Sequence, residues 1–146
     1  LIEIIIQLPK QDIYEVDQML KKTFIKYQIK SFYKNIINEM KKTDLCICRA
    51  GASTIFELIQ LKTPAILIPL PASAKNHQYK NAKFLSAQKA AIIIEENKLL
   101  GNKLSTIIKK IIRNRILLKN IYLNLNKIKS LKTNEIIYNN IFNRKN

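Results

Sequence analysis

The strongest constraint on the fold of this chain is a series of short apolar runs that do not alternate with polar residues. Each run is stopped by a turn and followed by a segment with helical spacing. The first, 2–8 (IEIIIQL), is rich in β-branched residues and ends at Pro9. Segment 13–24 then sets Ile13, Val16, Met19 and Leu20 at helical spacing. The pattern repeats with a strand at 27–32 and a helix at 35–42, whose Ile36, Ile37 and Met40 are expected to face inward. A short buried strand at 45–48 precedes a helix at 54–61, and a strand at 65–68 is closed by Pro69 and Pro71. A helix at 77–89 leads to a last strand at 91–94.

Uniformly apolar strands joined by helices call for a parallel sheet covered on both faces, so the expected fold class is α/β, a doubly wound parallel sheet. Beyond Gly101 the pattern is helical throughout. Leu104, Ile107, Ile108, Ile111 and Ile112 form one apolar stripe, and 121–132 and 135–142 read as two further helices. No Gly/Ser linker or internal repeat divides the chain. The expected organisation is an α/β domain at 1–100 with a helical C-terminal extension at 101–146 packed on it.

Composition narrows the partners. A chain of 146 residues that is 47% hydrophobic can bury one real core. Its net charge of +16 invites a nucleic-acid partner, but the cations are scattered lysines rather than an Arg-rich stripe with interleaved aromatics. The abundance of Ile, Lys and Asn is what AT-rich codons produce. No nucleic acid is expected, and an anionic membrane surface is the better use of the charge. No apolar run reaches 18 residues, so no segment reads as a membrane span. The first residues show no secretory-signal pattern.

The two cysteines, Cys46 and Cys48, lie on one face of the 45–48 strand, where a disulfide between neighbours would be strained. With a single histidine, His77, far along the chain, they make a poor zinc site. They read as buried thiols of a reducing compartment.

Only two glycines occur, Gly51 and Gly101. Gly51 sits in Cys48-Arg49-Ala50-Gly51-Ala52-Ser53-Thr54-Ile55-Phe56-Glu57, a strand end, a turn of small residues and a helix start. Two readings stand on local sequence. Thr54 and Glu57 fit a capping box that satisfies helix N–H groups and nothing more. Alternatively, the free N–H groups of the helix start face a phosphate, which the small residues Ala50 to Ser53 let approach. The turn is not a G-x-x-x-x-G-K-[ST] loop, so ATP-type phosphoryl transfer is unsupported. Glu57 has no second carboxylate nearby in sequence, which excludes a glycosidase pair.

A second candidate is Asn76-His77-Gln78, at the start of the helix after Pro69-Leu70-Pro71. A glutamine amide suits hydroxyl recognition, having both donor and acceptor. The plain alternative is a helix capped by Asn76 with a solvated His77.

Taken in order, these pieces have a likeness. Asp44 before a short strand, C-R-A-G-A-S-T-x-x-E-L from Cys48, T-P-A-I-L-I-P-L-P from Thr63, and N-H-Q-x-x-N-A from Asn76 to Ala82 share their order and strand-end positions with one family. The stretch 32–94 resembles the carboxyl-terminal, donor-binding domain of the peptidoglycan N-acetylglucosaminyltransferases (glycosyltransferase family 28, GT-B fold). The resemblance implies transfer of N-acetylglucosamine from UDP-N-acetylglucosamine to lipid I, undecaprenyl-diphospho-muramoylpentapeptide, forming lipid II with inversion at the anomeric carbon. It implies work at the cytoplasmic face of the bacterial inner membrane as a peripheral protein, and no cofactor or obligatory metal.

Carried residue by residue, the resemblance lets Ala52, Ser53, Thr54, Ile55, Phe56 and Glu57 line the UDP site. The N–H groups of Ser53 and Thr54 would face the diphosphate, and Glu57 would accept the ribose hydroxyls. Tyr33 falls where the family's main chain reads the uracil edge, although an aliphatic residue is usual there. Gln78 would hold hydroxyls of the sugar. Arg49 and His77 match the pattern without an assigned role, and no residue of this chain is assigned as catalytic.

This sequence departs from the family pattern in two respects. The family's first strand with its glycine-rich loop is not here, nor is the amino-terminal domain that binds lipid I. Leu1 stands almost inside a strand run with no initiator Met. The expectation is a fragment, or a chain completed by a separate subunit. Loss of the central strand predicts a gap, or a distorted pairing, between 2–8 and 45–48. The alternatives are another GT-B UDP-sugar transferase such as a glycolipid synthase, a nucleotide-sugar epimerase, or a non-catalytic remnant that binds nucleotide.

Overall fold

The computed structural model describes residues 2–71, 73, 76–96 and 102–128, with Asn102 described by its backbone alone. Five strands and six helices are described, in the order β1 (Glu3–Gln7), α1 (Lys10–Lys21), β2 (Lys26–Lys30), α2 (Ile36–Lys42), β3 (Cys46–Cys48), α3 (Ala52–Leu61), β4 (Ala65–Leu67), α4 (His77–Ala87), β5 (Ile92–Ile93), α5 (Asn102–Arg113) and α6 (Ile116–Lys127). They fall into two compact units, Leu1–Glu39 and Met40–Asn146.

In the first unit β1 and β2 run parallel, with Ile4 opposite Tyr27 and Ile6 opposite Ile29. These four are half-buried, while Glu3, Ile5 and Gln7 of β1 are exposed. The uniform apolarity of 2–8 therefore does not bury both faces, and Ile5 remains 36% exposed. Helix α1 follows Pro9, whose fixed φ suits a helix entry. Ile13, Val16 and Leu20 are half-buried as expected, but Met19 is 61% exposed, one position off that stripe. The Tyr27 hydroxyl donates to Asp17 Oδ1 at 2.9 Å and ties α1 to β2.

The second unit holds the larger core. Its three strands are parallel in the order β3-β4-β5, so β4 is central. All of β4 is buried, and its residues divide between two cores as a strand's alternation requires. Ala65 and Leu67 pack with Ile55, Leu58 and Ile59 of α3, with Leu85 of α4, and with Ile121 and Leu125 of α6. Ile66 packs on the opposite side with Ile94 and Ile111, against Leu104, Ile107 and Ile108 of α5. Helices thus cover both faces, the doubly wound arrangement expected from the strand pattern.

The strands form two sheets, β1-β2 and β3-β4-β5, and among the described residues no ladder joins β1 to β3.

Further expectations need correction. Ile36 and Ile37 are 37% and 41% exposed, because only the last turn of α2 enters a core, through Met40. Ile112 is 50% exposed, lying at the edge of a stripe that Ile111 already completes. Helix α6 begins at Ile116 rather than 121, since Asn114 breaks α5 and its side-chain oxygen accepts the Ile116 N–H at 3.0 Å. The helix expected at 135–142 lies outside the described residues. No described helix is long and apolar enough to cross a membrane.

Candidate functional site

In a parallel α/β sheet the carboxyl ends of the strands collect loops and helix starts, and ligands bind there. Strand β3 ends at Cys48, and three residues later the chain enters α3. Gly51 is the N-cap, extended at φ −62° and ψ 153°, and no side chain caps the helix. The first helical bond runs from the Ile55 N–H to the Gly51 carbonyl at 3.0 Å. The N–H groups of Ala52, Ser53 and Thr54 therefore have no acceptor within the helix.

This geometry overturns the capping-box reading. Thr54 is not the N-cap but lies inside the first turn, and Glu57 falls in the second. The glycine is not needed for a left-handed backbone, and an added Cβ would meet only Thr54 Oγ1, at 3.7 Å. What Gly51 and Ala52 provide is a helix start with no bulk in front of it.

The turn is held from behind by α4. Ala50 is fully buried, and both its backbone groups are engaged. Its N–H donates to Gln78 Oε1 at 3.3 Å, and its carbonyl accepts from Asn81 Nδ2 at 3.1 Å. Gln78 Oε1 also accepts the Leu70 N–H at 3.0 Å, so it bridges the loops after β3 and β4. The Gln78 acceptor is thereby occupied by the protein, which leaves its amide N–H donors for a ligand. Asn81 is the second asparagine of the N-H-Q-x-x-N-A motif, to which the sequence reading gave no role. Its spacing of three from Gln78 puts both side chains on one helix face and was the available signal.

The start of α4 also differs from expectation. Asn76 is the N-cap in the left-handed region, φ 60°, but its side chain caps nothing. Asparagine tolerates that conformation better than most residues. The hydroxyl of Ser73 accepts the Gln78 N–H at 3.3 Å instead. His77 is half-buried rather than solvated.

Arg49 acquires a definite role. Its guanidinium grips Glu96 with both nitrogens, at 2.8 and 3.0 Å, and reaches the Ile68 carbonyl at 3.3 Å. One side chain thus ties together the carboxyl ends of β3, β4 and β5. The Arg49 hydrogen bonds hold the Glu96 carboxyl below its usual pKa, and Glu96 raises that of Arg49. The pair cancels its own charge, so the field at the turn is left to the helix start.

The remaining expected positions separate by burial. Ser53 and Phe56 are exposed, Ala52, Thr54 and Glu57 are half-buried, and Ile55 is a core residue only 1% exposed. Ile55 has its side chain in the core and its N–H in the helix, so it supports the turn rather than facing outward. The Glu57 carboxylate makes no hydrogen bond or ion pair among the described residues.

The two thiols are half-buried against the core, not fully buried, and hydrogen-bonded to one another. That bond lowers Cys46 and, with burial, raises Cys48.

Tyr33 belongs to the Leu1–Glu39 unit and is 5% exposed. Its N–H donates to Gln7 Oε1 at 3.3 Å, and its hydroxyl reaches Gln28 Oε1 at 3.3 Å. Its side chain serves that unit's packing.

The described residues of the second unit enclose concavities at two places relevant to the strand ends and the sheet edge. One of about 270 Å³ lies at the strand ends, between Pro69, Pro71, Asn76, Tyr79, Glu95 and Glu96. A wider groove of about 630 Å³ runs between the end of α4, the start of β5 and α6, at the opposite edge of the sheet from the turn.

The glycosyltransferase family 28 C-terminal domain matches residues 1–134. A UDP-N-acetylglucosamine--N-acetylmuramyl-(pentapeptide) pyrophosphoryl-undecaprenol N-acetylglucosamine transferase from Rickettsia bellii is 45% identical over 101 residues, covering 69% of this chain and 28% of the relative. The protein of the same name from Rickettsia felis is 36% identical over 143 residues, covering 98% of this chain and 39% of the relative. The crystal structure of Acinetobacter baumannii MurG superposes with a TM-score of 0.80 at 25% identity, over 92% of this chain and 41% of that one. The chain thus spans well under half the length of the proteins it matches. With most of its length matched, the chain belongs to the glycosyltransferase family 28 C-terminal domain family.

Proposed function

We propose that this chain forms the donor-nucleotide site of an inverting N-acetylglucosaminyltransferase that uses UDP-N-acetylglucosamine. The observation that carries the reading is the start of α3. It is an uncapped helix N-terminus at the carboxyl end of a parallel strand, with small residues before it and its turn clamped by Gln78 and Asn81. Such a start favours a diphosphate by both its N–H groups and its dipole.

In this reading the N–H groups of Ala52, Ser53 and Thr54 bind the diphosphate, and Glu57 accepts the ribose hydroxyls. Phe56 lines the nucleotide, and Ile55 backs the turn from the core. The Gln78 amide donates to a sugar hydroxyl, its oxygen being committed to Ala50 and Leu70.

The acceptor is lipid I, held by a partner domain outside these residues, and the product is lipid II. The 4-hydroxyl oxygen of the lipid-linked muramoyl sugar bonds to the anomeric carbon as the bond to UDP breaks. Its proton passes to a base that none of the residues named above supplies. The α3 N–H groups offset the charge growing on UDP, as an oxyanion hole would. The donor domain extends over 1–100, followed by the helical extension 101–146, and it works at the cytoplasmic face of the inner membrane.

Isothermal titration of the full chain with UDP tests this reading. Glu57→Ala should weaken binding by about 1.5–3 kcal/mol, the range for hydrogen bonds to a charged group. The melting temperature should hold, because the carboxylate has no internal partner to lose. Unchanged affinity would remove Glu57 from the site, and no UDP binding by the unaltered chain would sink the whole reading.

A further inference from the structure

Two chemically reactive side chains take no part in the donor site, Cys46 and Cys48, the two cysteines of the chain. They lie on one face of β3, opposite Ala65 and Leu67 of β4, and are hydrogen-bonded to one another. Each is half-buried against the core rather than sealed within it, so a small solute has access to sulfur. The pair is not symmetric. The hydrogen bond from Cys48 favours the thiolate at Cys46, while that same bond, with burial, disfavours it at Cys48. A thiol inclined to ionise, beside one that keeps its proton, is the arrangement of an attacking cysteine and a resolving one.

Bridging the two sulfurs has a mechanical consequence. Two residues of extended strand advance about 6.4–6.8 Å, at the far limit of what a disulfide spans. Bridged Cα atoms centre on about 5.5–6 Å, so a bond between the sulfurs has to shorten β3. The strand is three residues long, and among the described residues β4 is its one ladder partner. Its ends are fixed by the Cys46 N–H donating to the Pro64 carbonyl and the Cys48 carbonyl accepting the Ile68 N–H, each at 2.9 Å. A shortened strand cannot keep both bonds. Arg49 and Ala50 follow directly, so the pull falls on the turn that Gln78 clamps.

We propose that Cys46 and Cys48 form a reversible oxidation site that loosens the donor turn. The oxidant is hydrogen peroxide. The Cys46 thiolate attacks one peroxide oxygen, the O–O bond breaks, and hydroxide leaves and takes up a proton as water. The Cys46 sulfenic acid then meets Cys48. A sulfur–sulfur bond forms as the S–O bond breaks, and the hydroxyl departs with the Cys48 proton as a second water. Together the sulfurs lose two electrons, which the peroxide oxygens gain. A bridge strained by the strand is easily reduced, as regulatory disulfides are. The effect on UDP rests on the donor-site reading, whereas the bridge itself does not.

The test treats the full chain with hydrogen peroxide, blocks remaining thiols with iodoacetamide and reads the intact mass. The chain should lose two hydrogen atoms and take up no iodoacetamide, and dithiothreitol should reverse both. In Cys48→Ala, dimedone should trap a sulfenic acid at Cys46, whereas Cys46→Ala should leave Cys48 reduced under the same treatment. Hydrogen exchange at the Cys46, Ala50 and Ile68 N–H groups should speed up in the bridged form and slow again on reduction. UDP affinity should fall roughly tenfold on bridging, as for one lost hydrogen bond, and recover with dithiothreitol. Sulfinic acid, or dimers joined through single cysteines, in place of the bridge overturns the proposal. So does a bridged chain whose Ala50 exchange is unchanged, or one that keeps the UDP affinity of the reduced chain. If the reduced chain binds no UDP, the donor-site reading falls alone, and mass with exchange still decides the oxidation site.

Discussion

Gln78 accepts the N–H of Ala50 at 3.3 Å across 28 residues of sequence. Because the same oxygen takes the Leu70 N–H at 3.0 Å, this side chain holds the turn in front of α3 before it can touch any ligand. Gln78→Ala leaves two backbone donors without their acceptor, which costs about 1–3 kcal/mol for each that stays buried. The variant should melt lower and bind free UDP less tightly, not only UDP-N-acetylglucosamine. A Gln78→Ala protein that lost sugar discrimination alone would show that the clamp is dispensable. Asn81→Ala, which frees the Ala50 carbonyl, should weaken UDP in the same direction.

Ala52→Pro separates the helix start from the helix itself. Proline is favoured at the first helical position, where the N–H has no internal acceptor. The preceding Gly51, at φ −62° and ψ 153°, already has the extended backbone that a residue before proline needs. Stability should hold or rise, while UDP affinity falls by about 1.5–3 kcal/mol if the Ala52 N–H meets the diphosphate. Thermal melts with paired titrations measure both, and undiminished affinity would confine the contact to Ser53 and Thr54.

The Arg49–Glu96 pair makes the strand ends sensitive to acid. Glu96 has a carboxyl pKa held below its ordinary 4.5 by Arg49. A depressed carboxyl contributes stability that is complete above the unfolded value and lost as pH falls through the lowered one. Melting temperature should therefore drop on acidification below about pH 4.5, and less steeply in Glu96→Gln. Both side chains are well exposed, 47% and 38%, so the effect should shrink in high salt. Parallel slopes in the two proteins would show that the pair adds nothing to folding.

Cys46 and Cys48 should differ in reactivity although they share a strand face. The hydrogen bond from Cys48 lowers the Cys46 thiol, and the same bond with burial raises Cys48. Iodoacetamide should label Cys46 first, as the thiolate is the reacting form. In Cys48→Ala the pH midpoint of Cys46 labelling should move upward, since its donor is gone. Peptide mapping over a pH series reads both, and faster labelling of Cys48 would reverse the assignment.

How much was readable in advance follows from the range of each interaction. Strand–helix alternation is local, so β1 to β5 and α1 to α5 were legible, with bounds a few residues wide of those observed. Burial was less so. Ile5, Met19, Ile36 and Ile112 carry the right residue type for a core but lie at the edge of what packs above them. The start of α3 was misplaced for a related reason. Thr54 and Glu57 have the spacing of a capping box, but Gly51 ends β3 so close to the helix that the first turn begins at Ala52.

By itself the sequence determined the parallel α/β class and Gly51 as the point where a helix start could be open. These depend on residue type and order along a few neighbours. Only the tertiary structure decided what Gln78, Asn81 and Arg49 do, because each bonds to backbone or charge brought close by the pairing of β3, β4 and β5. A side chain that can both donate and accept does not disclose its partner until the fold supplies it.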